Sequence, residues 1–91
     1  MTFQQIQRLD YGRLTYDQFL YTCAKNNRIP VRLLVFDNSK DKRTIIVLSK
    51  TLNDSITTRH MTFTKDSADE VLDMFERDFK DIQIEELDEA I

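Results

Sequence analysis

The chain of 91 residues contains one cysteine, one histidine, one glycine and one proline. Cys23 has no second cysteine with which to form a disulfide or a cysteine-based metal cluster, so a reducing cytoplasm is the expected compartment. A single glycine excludes the glycine-rich loops that hold phosphates, and a single histidine excludes histidine-rich metal sites. The sequence therefore predicts neither a metal nor another cofactor.

Long apolar segments are also lacking. The longest apolar runs, residues 33–36 and 45–48, are far shorter than the roughly 20 residues that a bilayer span needs. The first residues do not show the charged segment and apolar stretch of a secretory signal. We therefore expect a protein that makes no contact with membranes.

Candidate catalytic groups are few. His60 is the one side chain of the type most often used for proton transfer near neutral pH, and it is predicted to point away from the core of the fold. Asp37, Asn38 and Asp41 offer oxygen ligands in one predicted turn, but three basic residues share that turn, and Asp and Asn are common turn residues. The acidic residues of the C-terminal segment lie along one predicted helix and do not face each other across a cleft, as glycoside hydrolysis requires. The sequence predicts a non-enzymatic protein.

Helical spacing of apolar residues appears in three segments. Residues 3–11 and 16–27 carry this spacing on either side of Gly12, which predicts two short N-terminal helices separated by a glycine cap. Residues 68–81 also follow the i, i+3, i+4 pattern and predict an amphipathic C-terminal helix with an acidic outer face.

Three segments between the helices are typical of β-strands. Residues 31–36 and 44–48 flank a polar turn and predict a hairpin, and residues 55–64 predict a third antiparallel strand. The fold class is therefore α+β, with a three-stranded antiparallel meander. Because both hairpin strands are apolar at odd and even positions, helices or a second subunit are expected to cover both faces of the sheet, and a homodimer is the expected assembly.

The domain organisation follows from these elements. Residues 1–82 are predicted to form a single α+β domain. Residues 83–91 are an acidic tail, for which two alternatives stay open: a second short helix, or an end that becomes ordered on a partner.

Charge is divided unevenly along the chain, although the net charge is only −3. Residues 1–65 carry 11 basic and 5 acidic side chains, a net charge of +6. Residues 66–91 carry 2 basic and 11 acidic side chains, a net charge of −9. Such asymmetry is typical of interaction surfaces. The alternative is that the acidic segment lies against basic residues of the same chain. In that case the asymmetry stabilises the fold and does not indicate a partner.

The acidic side chains of the C-terminal helix form the first candidate binding surface, here called the acidic ridge. Steps of three or four residues place its carboxylates roughly 5–6 Å apart along the helix axis, which is similar to the spacing of phosphates in nucleic acids. The ridge consists of Asp66, Asp69, Glu70, Asp73 and Glu76, and the tail acids Glu85, Glu86, Asp88 and Glu89 are candidates to extend it.

Basic side chains form the second candidate surface, here called the basic set. They could neutralise the phosphates of a nucleic acid, with Tyr11, Tyr16 and Tyr21 as stacking groups. The alternative is an ordinary solvated turn. The basic set consists of Lys40, Lys42, Arg43, Lys50 and Arg59.

A short, glycine-poor chain with an acidic C-terminal third, Asp66 to Glu89, resembles the small phage-encoded host-takeover and anti-restriction proteins, some of which imitate DNA. The resemblance is one of general character and rests on no fixed motif. It implies a nucleic-acid-binding host protein with a basic surface as the partner, and inhibition by occupation of its site. The leading hypothesis is therefore a binding or inhibitor protein that presents the acidic ridge. The alternatives are a small nucleic-acid-binding regulator that uses the basic set, and an assembly or accessory protein.

Overall fold

The computed structural model describes the backbone of residues 3–88 and the side chains of residues 11–88. The α+β class is confirmed in this part of the chain. In chain order the elements are α1 (Phe3–Lys25), β1 (Ile29–Asp37), β2 (Lys42–Lys50), β3 (Ile56–Thr64), α2 (Lys65–Asp78) and β4 (Gln83–Glu86). The four strands form one sheet in the order β3-β2-β1-β4.

One long helix replaces the two predicted for residues 3–11 and 16–27. Gly12 lies inside α1, on the side that contacts α2. A Cβ atom at this position would lie 3.4 Å from Cβ of Ser67 and 3.5 Å from Cγ2 of Val71. The prediction of a helix end at Gly12 was wrong. A glycine can end a helix, but it can also allow two helices to pack closely, and the neighbouring residues in the sequence do not distinguish these two roles.

The C-terminal end of α1 is a Schellman motif. Asn27 has a φ of 55°, in the left-handed region that asparagine tolerates. The Arg28 N–H donates to the Cys23 carbonyl at 2.8 Å, and the Asn27 N–H donates to the Ala24 carbonyl at 3.4 Å. The helix end predicted at residue 27 thus lies within two residues of the observed end at Lys25, and the motif places Arg28 just beyond the helix.

The predicted hairpin and third strand are confirmed, because β1 pairs antiparallel with β2, and β2 pairs antiparallel with β3. The observed sheet nevertheless has a fourth strand that the predicted three-stranded meander lacks. Gln83–Glu86 pair in parallel with β1, with Ile84 opposite Leu33. The predicted helical form of the tail is therefore corrected for these residues. Four residues with one apolar side chain contain no periodicity that separates a strand from a helix, so only the tertiary contact defines β4.

α2 begins three residues before the predicted start. Its N-cap is Thr64, whose side-chain oxygen accepts a hydrogen bond from the Ser67 N–H. The predicted span of 68–81 therefore becomes Lys65–Asp78.

Both helices pack on the same face of the sheet. Strand residues such as Leu33, Ile45 and Phe63 form one buried cluster with Tyr16 of α1 and Phe75 of α2. Neither helix covers the opposite face, so the first of the two expected alternatives, helices on both faces, is wrong. The central side chains of that face are nevertheless buried within the chain: Phe36 is 7% exposed and Ile46 is 6% exposed. Neither helix of residues 3–88 has the length and apolar character needed to span a membrane.

Candidate binding surfaces

The acidic ridge lies on the side of α2 that points away from the sheet. Ala68, Val71 and Phe75 face the core and are fully buried. Because an α-helix turns by about 100° per residue, the ridge positions fall on the opposite side. Four ridge residues are exposed and Glu70 is half-buried. The structure therefore brings all five predicted ridge residues onto one surface.

Two ridge carboxylates form ion pairs with the basic part of the chain. Arg13 Nε lies 2.6 Å from Glu70 Oε1, and Arg43 Nη1 lies 2.6 Å from Asp69 Oδ1. Asp69 is still 65% exposed on its side chain. Some of the opposite charge in the two halves is therefore matched within the molecule, although exposed pairs of this kind contribute little stability.

Arg43 connects α2 to the hairpin turn. Its Nε also lies 2.9 Å from Asp37 Oδ1, and Lys65 Nζ lies 3.4 Å from Asp37 Oδ2. The Arg43 guanidinium, with Lys65, lowers the pKa of Asp37, and hydrogen bonding to Asp37 together with the nearby Asp69 and Glu86 raises the pKa of Arg43. Asp37 is therefore held as a carboxylate by its ion pairs.

Three ridge carboxylates remain without an ion pair among the side chains of residues 11–88: Asp66, Asp73 and Glu76. All three are exposed. With Asp69 they follow steps of three, four and three residues, so one carboxylate occurs on each successive helical turn. These four carboxylates form a row along the outer face of α2, in which Arg43 pairs with Asp69 and the other three carry unpaired negative charge.

The tail acids do not continue this row along a helix. Glu85 pairs with Arg32 and lies opposite Leu34, on the sheet face that carries no helix. Glu86 and Asp88 border a shallow cavity of about 270 Å³ together with Arg43. Glu89 lies outside the described residues.

The basic set is dispersed. Lys42 and Lys50 are the two ends of β2, roughly 26 Å apart at about 3.3 Å per residue. Lys50 pairs with Asp54 at 3.0 Å, and Arg43 is held by two carboxylates. Arg59 lies on β3 opposite Val47, away from the turn that contains Lys40 and Lys42.

The other candidates are placed as follows. His60 is exposed and lies opposite Ile46, on the face without helices, so its predicted orientation away from the helix-packed core is confirmed. Asn38 accepts a hydrogen bond from the Thr44 hydroxyl. In the part of the chain that the structure describes, no three His, Cys, Asp or Glu side chains are grouped to hold a metal. Tyr16, a predicted stacking group, is buried.

Tyr16 makes a buried contact that the sequence did not reveal. Its hydroxyl donates to Asp78 Oδ2 at 2.7 Å and lies 3.1 Å from the Met74 carbonyl oxygen, which fastens α1 to the end of α2. Burial and the Asp78 carboxylate raise the pKa of Tyr16. Hydrogen bonds from Arg77 and then Tyr16 lower the pKa of Asp78 to about 2.

A polar cleft was also missed at the sequence level. It has a volume of about 510 Å³ and lies between the C-terminal half of α1 and the strands β2 and β3. Cys23 and Ser49 line it, together with the two arginines Arg28 and Arg59. Burial raises the pKa of the Cys23 thiol, whereas the Ser49 hydrogen bond and the two arginines act in the opposite direction. No sequence motif links these residues, because three separate elements contribute them.

Comparison of the chain with protein-family models, with curated proteins and with solved structures finds no match.

Proposed function

We propose that this chain is a non-enzymatic binding protein that presents the outer face of α2 to a partner with a basic surface. The observation that carries the proposal is the row of exposed carboxylates along α2. Asp66, Asp73 and Glu76 have no ion-pair partner among the side chains of residues 11–88, although other acidic residues do. Like charges on neighbouring turns repel each other, and a basic partner relieves this repulsion.

In its finer form, the proposal is an inhibitor that imitates DNA and occupies the site of a nucleic-acid-binding host protein. The regular spacing of carboxylates along α2 supports this form. Arg13 and Arg43 bind two of the five ridge carboxylates, Glu70 and Asp69, and the imitation therefore rests on the other three, Asp66, Asp73 and Glu76. The tail is not needed for it.

Capture of a partner by a tagged chain tests the proposal. We expect the triple variant Asp66→Asn, Asp73→Asn, Glu76→Gln to lose the partner that the wild-type chain retains. The matched control is Asp41→Asn, Asp54→Asn, Asp81→Asn, which removes the same charge from exposed positions elsewhere and should retain the partner. Asparagine also tolerates the positive φ of 62° at Asp54. Equal losses in both variants would show that net charge alone matters.

Direct nucleic-acid binding is the competing function, and the exposed Lys40 and Lys42 are its best support. It requires a salt-sensitive shift of DNA or RNA by the purified protein, abolished by Lys40→Glu with Lys42→Glu. A shift of DNA at physiological salt would contradict the imitation of DNA. The dispersal of the basic set argues against a continuous phosphate-binding surface.

We further propose a homodimer through the sheet face without helices. At one end of this face Ile29 is 62% exposed and Ile56 is 53% exposed, flanking Lys50 in the register of the sheet. We expect sedimentation to show a dimer at micromolar concentration and Ile56→Lys to shift it toward monomer. A stable wild-type monomer would contradict the dimer without affecting the role of α2.

A further inference from the structure

We propose that the cleft beneath the C-terminal half of α1 binds a small phosphorylated molecule that carries a planar ring, such as a nucleoside monophosphate. The phosphate would lie between Arg28 and Arg59, and the ring would lie against Tyr21. This site is separate from the acidic ridge and does not depend on the function proposed for it.

The two arginines supply the positive charge. Neither guanidinium group forms an ion pair with a side chain of residues 11–88, whereas Arg13, Arg32, Arg43 and Arg77 all do. Guanidinium groups bind phosphate oxygens in pairs of parallel hydrogen bonds. Two such groups on the wall of one cleft are suited to a doubly charged phosphate.

The fold places both arginines on the wall of the cleft. Arg28 follows the Schellman motif, in which its own backbone N–H is bonded to Cys23. Arg59 projects from β3 on the helix side of the sheet, and its guanidinium carbon lies 6.0 Å from the centre of the Phe19 ring. Both arginines line the same cleft as Cys23.

Neutral polar and apolar groups complete the cleft. Thr57 supplies a hydroxyl group on the helix side of β3, and Phe19 and Val47 supply apolar surface. A volume of about 510 Å³ lies within the range of roughly 300–1,000 Å³ that is usual for small-molecule sites. The cleft is therefore large enough for more than a single phosphate ion.

A second groove extends the cleft toward Tyr21. It has a volume of about 440 Å³ and shares Thr22 and Arg59 with the first. The Tyr21 ring is 71% exposed and borders this groove with Asp17 and Gln18. An exposed aromatic ring offers a stacking surface, and the carboxylate and amide can hydrogen-bond the edge of a base. This combination favours a nucleotide over a simple sugar phosphate.

Titration of the protein followed by amide NMR shifts tests the proposal. The probes are inorganic phosphate, the four common nucleoside monophosphates and the corresponding nucleosides. We expect saturable shifts at Cys23, Arg28, Ser49 and Arg59. At least one monophosphate should bind tenfold or more tightly than phosphate, and the nucleosides should bind much more weakly than their monophosphates.

Variants separate the two parts of the site. Arg28→Gln and Arg59→Gln should each weaken monophosphate binding about tenfold or more. Tyr21→Ala should weaken monophosphate binding and leave phosphate binding unchanged. Lys80→Gln, an exposed charge that does not line either groove, is the matched control and should change neither.

Three results would overturn the proposal. The first is a folded protein, as judged from its NMR spectrum, that shows no saturable shifts with any phosphorylated probe at millimolar concentration. The second is binding that survives the combined Arg28→Gln and Arg59→Gln substitutions. The third is tighter binding of a single-stranded oligonucleotide than of any monophosphate, which would assign the cleft to nucleic acid.

Discussion

Tyr16 connects the two helices through one hydroxyl group. The residue is 1% exposed, and its hydroxyl donates to the Asp78 carboxylate and lies within hydrogen-bond distance of the Met74 carbonyl oxygen. A buried hydrogen bond to a charged acceptor typically contributes about 1.5–3 kcal/mol, and one to an acceptor that is itself exposed to water, as Asp78 is, contributes less. A side chain that the sequence offered as a potential stacking group therefore serves the packing of α1 on α2.

We expect Tyr16→Phe to lower the free energy of unfolding by about 1–2 kcal/mol, because the ring remains and only the hydroxyl contacts are lost. Urea denaturation measures the change. Tyr21→Phe removes a hydroxyl from a side chain that is 71% exposed, and this control should change stability by less than about 0.5 kcal/mol. Equal effects of the two substitutions would contradict the role of the Tyr16 hydroxyl.

The same contact predicts an acid-dependent part of the stability. The pKa of Asp78 is about 2 in the folded chain, below its ordinary unfolded value of about 3.9. Its contribution is therefore fully present above about pH 5 and is lost as the pH falls from about 5 toward 1. In Tyr16→Phe this loss should be smaller, because one of the two donors that lower the pKa of Asp78 is gone. The same loss of stability at acid pH in Tyr16→Phe and in the wild-type chain would contradict an effect of Tyr16 on the pKa of Asp78.

Gly12 gives a second test at the scale of one residue. The contacts of 3.4 and 3.5 Å that a Cβ would make are ordinary van der Waals distances, and alanine favours helices over glycine by about 1 kcal/mol. Gly12→Ala should therefore raise the thermal midpoint slightly. Gly12→Leu should lower it, because a larger side chain has no room between α1 and α2. Destabilisation by alanine would show that the helices pack more tightly than the structure indicates.

Among the elements, β4 stabilises the edge of the sheet. Ile84 packs against the main cluster, and the Leu87 N–H donates to the Val35 carbonyl at 2.8 Å just after the strand. Without β4, the outer edge of β1 would expose unpaired backbone groups. The segment that the sequence assigned to a helix or a partner-ordered end is therefore part of the sheet.

We expect Ile84→Ala to destabilise the fold by about 1–2 kcal/mol, because the side chain is half-buried against the core. Thermal or urea unfolding measures this loss. Leu52→Ala, at a position 81% exposed, is the control and should cost less than about 0.5 kcal/mol. If the two variants unfold alike, β4 does not contribute to the stability of the folded chain.

The elements show which features the sequence could predict. The hairpin was predictable because two apolar runs flank a polar turn. α2 was predictable because its apolar residues recur at helical spacing. β3 was predictable because inward and outward side chains alternate along it. The continuity of α1 across Gly12 and the pairing of β4 were not, since both depend on residues more than 40 positions away. The cleft around Arg28 and Arg59 was not predictable either, because its residues come from separate elements that only the sheet register and the end of α1 place side by side.

At the scale of the whole molecule, the two oppositely charged parts of the sequence are partly matched within the fold. Arg13, Arg32 and Arg43 each bind an acidic residue from the C-terminal segment. The position of the ridge on the outer face of α2 follows from helical periodicity alone. Helical periodicity does not show which ridge carboxylates are paired. That depends on which basic side chains of the sheet and of α1 lie close to each carboxylate in the fold.

The salt dependence of binding to the captured partner tests the role of the unpaired carboxylates most directly. Screening weakens attraction between exposed charges, so the affinity of the wild-type chain should fall as ionic strength rises. The variant Asp66→Asn, Asp73→Asn, Glu76→Gln should bind more weakly at low salt and show a much shallower dependence, whereas Asp41→Asn, Asp54→Asn, Asp81→Asn should follow the wild type. The same affinity and salt dependence in all three proteins would contradict a binding role for the outer face of α2.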